Sequence, residues 1–556
     1  MPPMRYSIIS LALLAISVTA YVQTDLVKNE GIKSPLHQRN VGRVTFMSKL
    51  IPIDEYKETD FLKSFELKES SDLNIRVFMG NSLTNYLHTL APALSAEELT
   101  RSGNYQFSFF VDGALVYKEN LHPGAGLAES KNTRTVFRVP LISTTNEDSW
   151  GRFLWNRFMI SGGEEALSAG THLLKLEIRP YLKATEIKVG DLIAQGQLQV
   201  VVVKPSVDEK QIAIQPIKPA SGWEISNDDY DKAKFRDLNL RIAQNTFKEI
   251  TSVVVIKEGK LLIEEYFNGA GRETLHDTRS VGKSFASALA GLAIRDGHIK
   301  SEDQTLREFY DLNRFANNSP KKAGVTIKSL LSMSSAFDGS DMNEDSPGNE
   351  EKMYPTGDWV KFTLDLPIDS AKVVGENWDY FTAGVVLLGD ILNKSVPGGL
   401  EKYADQKLFK PLGIKKYEWQ YTPQKVVSTA GGLRMSSLDL AKFGQLYKNG
   451  GLWKGEPVIP RSWVESSLTK RLKLPDEGGG FYGYLFWNGT YNVNGKQYEA
   501  FYASGNGGNK IFIFKDEPLV VVITATAYNR PYAHPQVNRM MERYILPAVI
   551  NPRRAF

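Results

Sequence analysis

The stretch that most constrains this chain is Asp277-Thr278-Arg279-Ser280-Val281-Gly282-Lys283-Ser284-Phe285 and the apolar, small-residue run behind it. That run (Phe285, Ala286, Ala288, Leu289, Ala290, Leu292, Ala293, Ile294) ends at Asp296-Gly297, a glycine stop signal. The pattern predicts a buried helix with Ser280 at its first turn and Lys283 one turn on. Residues three apart share a helix face, so the hydroxyl and the amine are brought together. The helix N-terminus adds positive potential and free backbone N–H groups at the serine. Serine needs an adjacent base to act as a nucleophile. A lysine fills that role only where burial or neighbouring cations depress its pKa from ~10.4.

Ser-x-x-Lys is a weak signal by itself. Two other copies, Ser319-Lys322 in a proline-containing turn and Ser467-Lys470 beside Arg471, lack the apolar helix. Gly282-Lys283-Ser284 resembles the end of a phosphate-binding loop, but that loop requires glycine where Asp277 stands. No Gly-x-Ser-x-Gly elbow occurs, which disfavours a Ser-His-Asp hydrolase of that kind. The seven histidines show no metal-ligand spacing, and no cofactor is expected.

At 556 residues the chain predicts two or three domains. A net charge of +4 and the lack of basic runs interleaved with aromatics exclude nucleic acid as an expected partner. Residues 1–20 read as a secretory signal: Arg5, an apolar run from Ile8 to Val18, then Val18-Thr19-Ala20. The run is short for a bilayer span, so the mature protein is expected in the periplasm or outside the cell, with no stable membrane span. There is no cysteine, hence no disulfide.

Residues 40–205 show short alternating strands with turn signals, such as Tyr105–Val111, Asp112-Gly113 and Ala114–Tyr117, and suggest a β-sandwich-like domain. Trp150, Trp155 and Tyr181, if exposed, could stack on sugar rings, but aromatics in such a domain more often fill its core; a structural or docking role is expected ahead of a polysaccharide contact. Proline-rich residues 206–225 read as a linker. From 226 to 550 the pattern is mixed α and β: a hairpin at Ser252–Tyr266, a polar loop at Asp338–Thr356, a capping box at Ser436 and closing strands around Ser504-Gly505-Asn506-Gly507-Gly508.

Residues 226–550 resemble the serine β-lactamase-related superfamily. It includes class C β-lactamases, penicillin-binding D-Ala-D-Ala peptidases, esterases and 6-aminohexanoate-dimer hydrolases. Its Ser-x-x-Lys motif matches Ser280-Val281-Gly282-Lys283, its Tyr-x-Asn/Ser motif falls on Tyr380-Phe381-Thr382, and its Lys/His-Thr/Ser-Gly motif falls on Ala503-Ser504-Gly505. Gly431-Gly432-Leu433-Arg434 and Gly483-Tyr484-Leu485-Phe486-Trp487 support the match. The resemblance implies an α+β fold, an antiparallel sheet flanked by helices plus an all-α subdomain. It implies an acyl-enzyme on Ser280, with Lys283 or Tyr380 as base. The N–H groups of Ser280 and Asn506 would form the oxyanion hole, and Thr382 and Ser504 would face the substrate. Ala503 replaces the cation that binds a substrate carboxylate. That favours an ester or small amide over a β-lactam or D-Ala-D-Ala peptide; Arg434 or Lys510 would have to replace the charge. A catalytically silent binding protein on the same fold is the remaining reading.

Overall fold

The computed structural model describes residues 25–67, 72–143, 150–204, 206–475 and 480–550; the expected signal segment lies outside them. The chain divides into two compact units, the first ending at Lys204.

In the first unit, a three-stranded antiparallel sheet pairs Leu73–Phe78 with Val44–Met47 and Val136–Ile142. A larger sheet places Gly170–Lys183 between Gly103–Val111 and Ala194–Val202. Along Gly170–Lys183, Leu174, Leu176 and Ile178 point inward, while Lys175 and Glu177 alternate outward and pair at 2.8 Å. Both sheets feed one core: Phe46, Ile75 and Val139 from the smaller, Phe107, Leu176 and Val200 from the larger. Two of the three aromatics are interior, the more frequent of the two placements expected for them. Trp155 is 5% exposed and lies on Phe158, and Tyr181 is 2% exposed with its hydroxyl donating to the Leu121 carbonyl. The side chain of Trp150 lies outside the described residues.

The second unit is built on an antiparallel sheet of eight strands among the described residues. They are β1 (Ile250–Lys257), β2 (Lys260–Tyr266), β6 (Leu472–Lys473), β7 (Phe481–Tyr482), β8 (Trp487–Val493), β9 (Lys496–Gly505), β10 (Asn509–Phe514) and β11 (Leu519–Ala525), in the order β2-β1-β11-β10-β9-β8-β7-β6. A small sheet joins β3 (His276–Asp277), β4 (Tyr417–Trp419) and β5 (Leu433–Met435), with β5 central. Strand alternation sends Ile511 and Ile513 to one face and Phe512 and Phe514 to the other. The second face packs on α1 (Lys232–Ala243) and α5 (Ala533–Met540) through Phe235, Leu238, Val537 and Met540. The first face receives α2 (Val281–Arg295), and beyond it α3 (Thr382–Ser395) and the helical region. Sheets covered on both faces read as unbroken apolar runs, as Val520–Ile523 does.

Helix α2 is buried along nearly its whole length because its side chains are small. Gly291 lies under the Trp463 ring, where a Cβ would stand 2.4 Å from it, and the Trp463 indole donates to the Ser287 carbonyl at 2.9 Å. Phe285 stacks on Phe443 of α4 (Ser437–Lys448) at 3.8 Å. The helix stops where Gly297 takes φ +75°, as its sequence predicts.

Residues 206–225 depart from the expected linker. The Gln215 N–H donates to Glu265 and its side-chain amide to the Tyr266 carbonyl; Glu224 and Ser226 bond to Leu261. The segment thus covers the outer edge of β2, an edge strand otherwise open to pairing.

Candidate active site

The turn Thr278-Arg279-Ser280 joins β3 to α2. Arg279 holds φ +53°, a left-handed conformation costly for a side-chain-bearing residue and typical of sites where geometry is imposed by the surroundings. Two glycines press on the turn. A Cβ on Gly505, at the end of β9, would stand 1.9 Å from the Thr278 carbonyl oxygen and 3.1 Å from the Ser280 nitrogen. A Cβ on Gly431 would stand 2.8 Å from the Arg279 carbonyl carbon. Only glycine permits that approach of backbone to backbone.

Ser280 stands at the N-terminal boundary of α2, and its side chain makes no capping hydrogen bond to the helix. Its Oγ lies 2.7 Å from the Lys283 Nζ, and the same amine donates to the Ala430 carbonyl at 2.5 Å. Lys283 is 2% exposed. The ring of Tyr380 lies 5.2 Å from the amine. The structure therefore brings together Ser280, Lys283, Tyr380 and Gly505.

The remaining predicted residues are placed differently. Thr382, the first residue of α3, is fully buried, and its N–H donates to Asp341 Oδ2 at 2.7 Å. A substrate does not reach the Thr382 hydroxyl in this conformation. Ser504 is half-buried and pairs across the sheet with Lys510, whereas Ala503 pairs with Ile511 and packs in the core shared with α2. Alternation thus sets Ser504 and Lys510 on the face opposite Ala503. The Asn506 side chain is exposed and bonds Asn529 twice, at 2.5 and 2.9 Å, fixing the loop after Gly505.

Neither candidate for the missing cation supplies it. Lys510 is buried between Tyr502 and Phe512 and bonds Asn538 Oδ1 at 2.9 Å; burial pushes its amine down to about 7. Arg434 faces Asp277 at 3.7 Å and Glu418 at 3.8 Å. His276 is also structural: it is buried, contacts Thr251 Oγ1 at 3.3 Å and is pushed down to about 4 by burial, so it is neutral.

Two features of the site join residues from distant parts of the chain. The first is Asp341, in the polar loop at Asp338–Thr356. Its N–H donates to the Tyr380 carbonyl at 2.8 Å, and its carboxylate accepts from Thr382 at 2.7 Å and from Glu350 at 2.9 Å. It thereby clamps the Tyr380-Phe381-Thr382 segment from one side. Burial, with the nearby Glu350, raises its pKa; the Thr382 hydrogen bond and the Lys283 charge oppose that rise. The second is a group of rings next to Lys283. Trp487 stacks on Tyr380 at 5.5 Å, Trp378 lies 5.6 Å from Trp487, and buried Tyr482 backs both tryptophans. Among the described residues no group of His, Asp or Glu side chains is placed to hold a metal ion.

The family model described as Beta-lactamase matches residues 246–540, more than half of the chain and all of this site. The chain belongs to the beta-lactamase family. That serine β-lactamase-related superfamily consists in general of serine hydrolases, and its fold of mixed α and β content is the one described above. Three solved structures are similar to this chain. A Bacillus anthracis protein assigned as a 6-aminohexanoate-dimer hydrolase is 18% identical, with a TM-score of 0.45, over 53% of this chain and 79% of its own. A Bacteroides dorei protein assigned as a beta-lactamase is 16% identical, with a TM-score of 0.46, over 56% and 98%. A penicillin-binding protein homolog from Caulobacter crescentus is 16% identical, with a TM-score of 0.45, over 60% and 98%. No curated protein matches the chain.

Proposed function

We propose that this beta-lactamase-family chain is an exported serine hydrolase that cleaves an ester or small amide bond through an acyl-enzyme on Ser280. The observation that carries the reading is the 2.7 Å contact between the Ser280 hydroxyl and a lysine amine that is almost wholly buried. Acting as the base, Lys283 accepts the serine proton while Oγ attacks the substrate carbonyl, and it keeps its donor bond to the Ala430 carbonyl. Tyr380, beside the amine, relays that proton to the leaving alcohol or amine. The tetrahedral oxygen is held by the N–H groups of Ser280 and Asn506; the first of these donates to no described group. Such a donor contributes ~3 kcal/mol to lowering the barrier. Water then attacks the acyl carbonyl and releases the acid and free serine.

Loss of the cation at position 503 and the placement of Lys510 on the opposite sheet face support an uncharged substrate over a D-Ala-D-Ala peptide or β-lactam. Intact-mass labelling with a fluorophosphonate and with penicillin separates the readings. We expect one fluorophosphonate label, lost in Ser280→Ala, with turnover of p-nitrophenyl acetate and no saturable penicillin adduct. A label that survives the substitution overturns Ser280 as nucleophile. Acylation by penicillin returns the cell-wall reading. Absence of both label and turnover makes the chain a binding protein. Export is supported by the apolar run after Arg5, and mass analysis of the N-terminus of the mature protein tests it.

A further inference from the structure

Trp378, Tyr380 and Trp487 are each half-buried, and their centroids lie within 5.5 to 6.3 Å of one another. They come from two distant parts of the chain: the approach to α3 and the start of β8. Their inner sides pack on the core shared with α2, and fully buried Tyr482 closes the gap behind both tryptophans. The wall reaches the reacting groups, since the Tyr380 ring is 5.2 Å from the Lys283 Nζ and that atom is 2.7 Å from Ser280 Oγ. The loop that Asp341 ties to Tyr380 also carries Met342, 76% exposed. Because the three rings are only half-buried, part of their apolar surface stays open near the nucleophile, and such surface is a recognition element.

The charge distribution agrees. Ala503 is buried among apolar groups, and Lys510 lies on the other sheet face bonded to Asn538. Arg434 is shared between Asp277 and Glu418, and Arg279 faces Asp277 at 3.6 Å and the Tyr528 ring at 4.8 Å. The two amines nearest the wall are also engaged, Lys283 with Ser280 and the Ala430 carbonyl and Lys372 with Asp369 and Asp379, so a substrate carboxylate laid on the rings would have to compete for a cation already paired.

We infer that Trp378, Tyr380 and Trp487 form a subsite for an uncharged, ring-bearing acyl group, held by stacking on Trp487. This rests on the reading of Ser280 as the acylated residue, and the test separates the two. Binding is measured on Ser280→Ala protein, which needs no chemistry, by titrating phenylacetamide and acetamide and following tryptophan fluorescence and saturation-transfer NMR. We expect phenylacetamide to saturate at a concentration at least about tenfold below acetamide, the return on covering one ring face. The difference should vanish in Ser280→Ala/Trp487→Ala and persist in Ser280→Ala/Trp487→Phe, which keeps a ring. On the wild-type chain, kcat/KM for p-nitrophenyl phenylacetate should exceed that for acetate by about tenfold or more. An isosteric ester ending in a carboxylate should react more slowly than phenylacetate. Trp487→Ala should collapse the phenylacetate-to-acetate ratio whatever it does to each rate. Equal binding of both amides, or a preference unmoved by Trp487→Ala, overturns the subsite even if Ser280 is labelled. Selective phenylacetamide binding without any labelling of Ser280 keeps the subsite and overturns the nucleophile.

Discussion

Gly505 is a residue whose missing side chain does the positioning. A methyl group there would meet the Thr278 carbonyl oxygen at 1.9 Å, so β9 must retreat from the turn that carries Ser280. Gly505→Ala is predicted to cut kcat/KM by about 10²-fold, the scale of a 1 Å displacement at a reacting centre. Its stability cost is about 1–3 kcal/mol; esterase assays and thermal unfolding check both. Lys510 offers a second prediction, on stability. Its amine titrates at about 7 when folded but near ~10.4 when unfolded. Between those values the unfolded chain binds the extra proton, so stability rises with pH and the destabilising contribution is complete below pH 7. Lys510→Met should raise Tm at pH 7 and flatten the rise from pH 7 to 10; an unchanged pH profile contradicts the assignment.

Among the elements, those written in local signals were legible from the sequence. Helix α2 and its Gly297 stop, the Ser436 cap of α4 and the Glu258-Gly259 turn between β1 and β2 stand where periodicity, capping and glycine put them. Ser280 and Lys283 were legible for the same reason: both lie on one helical turn. What failed to show depends on residues distant in sequence. The Ala430 carbonyl reaches Lys283 across 147 positions, and Asp341 reaches Thr382 across 41. Strand alternation gives two faces but not which of them is covered, so the sequence left open whether Tyr181 stacks on a ligand or fills the interior, and it is buried. The clamp at the head of α3 yields a prediction at this scale. Asp341→Ala leaves the N–H groups of Thr382 and Glu350 without their acceptor, a loss of about 1–3 kcal/mol. The displaced Tyr380 should lower kcat more than it changes KM. Asp341→Asn keeps a side-chain carbonyl acceptor and should lose less; equal loss in both variants contradicts the clamp.

The whole molecule consists of two units with separate cores, and the active-site residues all belong to the second. A chain of residues 206–550 should therefore fold and keep esterase activity. A chain starting at Asn227 should not, because it lacks the Gln215 and Glu224 contacts that cover the edge of β2. Circular dichroism and turnover of the two chains decide this. Equal behaviour of both would make the segment dispensable after all. The most direct test of the central claim is rapid acid quenching of the full chain during p-nitrophenyl acetate turnover, followed by intact-mass and peptide mapping. The mechanism predicts one acyl group on the peptide containing Ser280, located on that hydroxyl and missing from Ser280→Ala. An acyl group on any other residue, or turnover undiminished in Ser280→Ala, would contradict it.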